Sequence, residues 1–135
     1  MKPFTIKKDT QPLTITSHGS SLNKAFENIA KGMFTYLLQD EEVEPVGQYT
    51  INLTGETSKD LLVKWITMLQ FLHTHHDLVF GYFSVTIDDQ QLTGHIFGKK
   101  HQPQLGNEPT SLIVMPETIE ITKTSHYKIQ ASFTG

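Results

Sequence analysis

The chain is predicted to fold as an α+β protein, with two main helices packed on an antiparallel or mixed β-sheet. Three observations carry that prediction: two long segments repeat apolar residues at helical spacing, several shorter ones alternate apolar with polar residues, and the second half of the chain is strand-like nearly throughout. With 135 residues the chain is expected to form one domain over residues 1–135, large enough to bury a core without disulfide staples.

Leu13 and Ile15 alternate with Thr14 and Thr16, which predicts a half-buried strand ending at Ser17-His18-Gly19. A helix should follow, with Ser20 or Ser21 accepting a bond from its first free amides. Leu22, Phe26, Ile29, Ala30, Met33, Phe34 and Leu37 then form one stripe, and Asn23, Lys24, Glu27, Asn28 and Lys31 are expected to face water. Acidic Gln39-Asp40-Glu41-Glu42 and Pro45 end the pattern in a solvated loop. Tyr49, Ile51 and Leu53 alternate with polar residues, predicting a strand before Gly55.

Thr57-x-x-Asp60 has capping-box spacing, and Leu61, Leu62, Trp65, Met68, Leu69 and Leu72 make a broad apolar face, so the second helix is buried. Tyr82–Ile87 reads as a strand, and Asp88-Asp89-Gln90-Gln91 turns it into Leu92–Phe97 as a hairpin. Gly98-Lys99-Lys100-His101 reads as a solvated turn, followed by a loop rich in Gln, Pro, Gly and Asn. Ser111–Met115, Thr118–Thr122 and Tyr127–Phe133 complete the chain as three strand-like pieces, Pro116 parting the first two.

Composition narrows the function classes. Without cysteine there is no disulfide, thiolate zinc site or thiol nucleophile, which fits a reducing compartment and makes the cytoplasm the expected location. A formal net charge of −3 with scattered basic residues gives no electrostatic footprint for direct nucleic-acid binding. No apolar run approaches the roughly 18 residues of a membrane span, and the N-terminal segment lacks a signal-peptide core. The standard phosphate-loop, dinucleotide, zinc-protease and serine-hydrolase motifs are absent, so no catalytic residue is assigned.

His73, His75 and His76 crowd the end of the second helix, where cationic side chains are favoured by the exposed carbonyls. Only His73 and His76 occupy neighbouring helix positions, and a zinc site needs further ligands from Asp77, His95 or His101, which nothing in the sequence brings near. These histidines are therefore read as a helix end, and His18 and His126, taken singly, as no site at all.

Gly19-Ser-Ser-Leu22-x-x-Ala25-Phe26-Glu27, Gly32-Met33-Phe34-x-Tyr36, Val43-Glu44-Pro45 and Asp60-Leu-Leu-Val-Lys-Trp65 stand in an order and spacing that resembles the archease family. The resemblance extends over almost the whole chain and is weakest in the C-terminal third. It implies a compact α+β accessory protein, not itself an enzyme, that promotes guanylylation and turnover of an RtcB-type RNA ligase in tRNA splicing and RNA repair. The family's working site is an acidic cluster around a divalent cation such as calcium, supported by a lysine. On an ungapped reading its acidic positions fall here at Pro12, Gln39, Met68 and Thr134, and its lysine at about Leu112. Hard divalent cations want six or more oxygen ligands with carboxylates among them. One charge pair at about 4 Å contributes on the order of 4 kcal/mol at an effective dielectric near 20, so losing several should abolish the site. No metal or other cofactor is then expected, with Asp9, Asp40 and Glu117 as the substitute carboxylates to weigh against that expectation. The leading expectation is a divergent archease-like accessory protein that keeps a protein-binding surface, its family role of ligase activation put in doubt by the missing carboxylates. The competing ones are a protein-interaction module unrelated to RNA and a histidine-based metal protein.

Overall fold

Leu13 and Ile15 are buried as their alternation predicts, and the strand they open ends at Gly19, within the expected Ser17-His18-Gly19. The computed structural model describes residues 2–8, 12–39, 42–100 and 112–134. Among them the order is β1 (Phe4–Lys7), β2 (Leu13–Gly19), α1 (Leu22–Leu37), β3 (Gly47–Thr54), α2 (Ser58–His76), β4 (Leu78–Asp88), β5 (Gln91–Lys100), β6 (Ile113–Lys123) and β7 (Tyr127–Thr134). The strands form two sheets, ordered β1-β2-β7-β6 and β3-β5-β4, with every pairing antiparallel. The α+β class holds, while the expected single sheet is corrected to two.

Helix α1 is why the sheets stay separate. Ser21 caps it by accepting from the Lys24 amide, and its apolar stripe from Ala25 to Phe34 is buried. Three of the polar residues expected to face water do not. Glu27 accepts from the Val85 amide at 2.9 Å, Asn23 accepts from the Ile87 amide at 2.9 Å, and Asn28 donates to the His18 carbonyl at 2.6 Å. The first two bonds satisfy the free edge of β4, where a further strand would otherwise pair. Close packing on the other side rests on Gly32, where a Cβ would stand 2.8 Å from the Ile15 side chain.

Helix α2 places Trp65 at the centre of the core. Its ring is fully buried, meets Phe83 edge-on at 6.3 Å, and donates its indole N–H to the Phe26 carbonyl at 3.1 Å. Gly94 on β5 leaves the space: a Cβ there would lie 2.7 Å from the ring. Thr57 caps α2 by accepting from the Asp60 amide, but the Asp60 carboxylate reaches the Glu56 amide rather than that of Thr57, so the box is closed one residue early.

Three expectations about the strands are corrected. Gly98, Lys99 and Lys100 are not a turn, since they pair with Phe80, Val79 and Leu78 as the end of β5; His101 lies outside the described residues. The pieces around Pro116 are one strand, β6, with a break in register between Met115 and Glu120. Thr118 bridges that break, its hydroxyl donating to the Met115 carbonyl and accepting from the Ser132 amide, in place of ladder bonds that proline cannot make. Phe4–Lys7, with only four residues of alternation, forms an edge strand that the sequence did not announce. The turn at Asp89-Gln90 closes the expected hairpin, with Asp89 at φ 57.

Candidate functional site

The register of the four-stranded sheet gathers one set of residues at one end. Leu13 pairs with Phe133 and Ile113 with Thr134, so Pro12, Leu112 and Thr134 sit side by side where β2 begins, β6 begins and β7 ends. Helix α1 runs back antiparallel to β2, which returns Gln39 to that same end. Gln39 has φ 51, and its amide donates to the Tyr36 carbonyl at 3.3 Å. Leu112 is buried, its carbonyl accepting from the Gln70 side chain, whereas Pro12, Gln39 and Thr134 are exposed. Met68 is two positions before Gln70 and therefore on the opposite side of α2, packed half-buried against the core. Ile113, 62% exposed, gives this end an apolar surface residue. Glu117 is exposed at the break in β6; Asp9 and Asp40 lie outside the described residues.

The histidines of α2 do not converge. One ring nitrogen of His73 bonds the Leu78 carbonyl at 2.9 Å, and its ring meets Phe34 edge-on at 5.8 Å. His75 and His76 lie instead around the exposed Phe71 ring, at 4.7 and 5.5 Å. Asp77 closes the helix in the left-handed conformation at φ 57. His95 is on β5, engaged with Thr50 and Gln48. Among the described residues, no group of three or more His, Cys, Asp or Glu is arranged to hold a metal ion.

What the sequence missed is a pair of histidines 108 residues apart: His18 Nδ1 lies 3.1 Å from His126 Nε2. Burial, then the neighbouring His126 and Lys128, hold the His18 pKa below the ordinary imidazole value. An open cavity of about 720 Å³ at the start of α2 is lined by Glu56, Asp60, Lys64, Asp88 and Asp89. Its Asp60 is already committed to the Glu56 amide and to Lys64 at 3.5 Å. No described helix is long and apolar enough to cross a membrane.

Compared with known proteins, residues 5–132 match the archease protein family (MTH1598/TM1083). The chain belongs to the archease family. It is similar to the archease of Sulfurisphaera tokodaii, 31% identical over 105 residues that cover 76% of each chain. The archease of Saccharolobus islandicus is 30% identical over 129 residues, 93% of each chain. The fold matches the solution structure of Methanobacterium thermoautotrophicum protein 1598, with a TM-score of 0.75, 24% identity and coverage of 98% of this chain and 99% of that one. The archease fold expected from the sequence is thus the fold observed, and the archease match takes in the C-terminal strands where the sequence resemblance is weakest.

Proposed function

We propose that the protein is a single-domain, cytoplasmic accessory protein of the archease type, not an enzyme, whose partner is an RtcB-type RNA ligase and whose cation-dependent activating function has been lost. The reading is supported by one observation above all: family membership spans residues 5–132, yet the end of the sheet where the family pattern expects carboxylates and a lysine carries Pro12, Thr134 and Leu112 with Gln39 beside them. The donor set does not fit a hard divalent cation. Gln39 and Thr134 offer neutral oxygens, Pro12 and Met68 no side-chain oxygen, and Leu112 no charge in place of the supporting lysine.

Where the family pattern expects carboxylates, the described residues Pro12, Gln39 and Thr134 carry no charge and Ile113 is exposed, which favours contact with a protein over holding an ion. An RtcB-type ligase supplied with GTP and manganese tests the reading. Added protein is expected to leave the rate of guanylylation unchanged, whereas a competent archease raises it. Acceleration by the wild-type chain would sink the proposal and make Asp9, Asp40 and Glu117 the first carboxylates to replace.

A further inference from the structure

We propose that His18 and His126 together bind one divalent transition-metal ion of the copper, nickel or zinc class. The site is independent of the function proposed above. His18 pairs in register with Lys128 and Leu13 with Phe133, so the histidines stand six residues along the chain from Pro12, about 20 Å at the usual strand rise.

Geometry is the first argument. Two nitrogens on one tetrahedral zinc, each bonded at about 2.0–2.1 Å, are about 3.3–3.4 Å apart. His18 Nδ1 and His126 Nε2 are already 3.1 Å apart, with ring centroids at 5.2 Å, so a small swing of each ring admits the ion. Both backbones are held. The His18 amide donates to the Pro3 carbonyl at 2.8 Å, its carbonyl accepts from Asn28 at 2.6 Å, and the His126 carbonyl accepts from the Thr124 amide at 3.0 Å.

Proton placement is the second. A metal needs a lone pair on both facing nitrogens. Ser125 Oγ lies 3.3 Å from His126 Nδ1, and because a hydroxyl can accept as well as donate, it accommodates the tautomer protonated there, which leaves Nε2 free. In the metal-free pair that tautomer makes His18 Nδ1–H the donor to His126 Nε2. Binding then requires only that the His18 proton move from Nδ1 to Nε2, with no net loss of a proton.

Ligand chemistry selects the ion. Neutral imidazoles suit copper, nickel and zinc, and not calcium or magnesium, which want oxygen. Water would fill the remaining positions, because both rings are partly exposed. Lys128 beside the pair opposes a dication, so binding is weaker than at a site with three protein ligands. Among the described residues, no other histidine is hydrogen-bonded to a second histidine.

The test is titration of the untagged full chain with Cu²⁺ at neutral pH, read by electron paramagnetic resonance and by calorimetry. Expected are one ion per chain, hyperfine structure from two imidazole nitrogens, and paramagnetic broadening of NMR signals centred on His18 and His126. His18→Gln and His126→Gln should each weaken binding beyond the roughly 10–100-fold typical of an outer-shell change, and His73→Gln with His76→Gln should leave it unchanged. If either single variant fails to fold, the broadening in the wild-type chain still decides the matter. Absence of saturable binding, broadening centred on His73–His76, or binding that survives both single variants overturns the proposal.

Discussion

Trp65 joins three elements through one side chain: it belongs to α2, bonds the backbone of α1 at Phe26, and lies over Gly94 of β5. Removing a large buried aromatic leaves a cavity that its neighbours only partly fill, at a cost of about 3–5 kcal/mol. Trp65→Ala should therefore unfold much of the population, and a denaturation midpoint equal to that of the wild type would show the ring contributes no packing. His18 gives a second residue-scale prediction. Its folded-state pKa lies below the unfolded value, so neutral His18 contributes stability that is complete above about pH 6.5 and is lost as pH falls through the folded pKa. Denaturation midpoints measured from neutral to mildly acid pH should fall more steeply for the wild type than for His18→Gln. Parallel pH profiles would remove His18 from the account.

At the scale of elements, α1 is the joint between the two sheets, and its polar side chains matter as much as its apolar stripe. Glu27→Ala would leave the Val85 amide without its acceptor, a loss of about 1–3 kcal/mol for a bond to a charged group. Hydrogen exchange at Val85 should rise in that variant while exchange in β7 changes only in step with global stability; unchanged protection at Val85 would refute the edge-capping role. The stripe itself was legible, because residues three and four apart report on one another directly. The roles of Asn23 and Glu27 were not, because their partners lie 64 and 58 residues along the chain. Pro116 was legible as a loss of a donor, but the rescue by Thr118 depends on Ser132, fourteen residues on, and so one broken strand was read as two. Lys99 and Lys100 were misread because local charge suggested a turn, whereas pairing with Val79 and Leu78 keeps them in β5.

At the scale of the molecule, the archease architecture is observed, and the proposal is that one end of its four-stranded sheet lacks the carboxylates of the family pattern. Gly32, Val43-Glu44-Pro45 and Trp65 set the frame in which the sequence reading counts Pro12, Gln39, Met68 and Thr134 as the family positions. That Pro12, Gln39 and Thr134 share one end needed the antiparallel register of β2 with β7, which no local pattern specifies. The His18–His126 pair needed the same long-range register and was invisible to a reading along the chain. The most direct measurement is thermal unfolding of the wild-type chain with and without millimolar calcium, a cation that the histidine pair does not favour. A ligand that binds only the folded state at a hundred times its dissociation constant adds about 2.7 kcal/mol. No calcium-dependent shift is expected for the wild type, and a shift is expected for the combined variant Pro12→Asp, Gln39→Asp and Thr134→Asp, the three positions that share one end. A wild-type chain already stabilised by calcium would contradict the loss of the cation site.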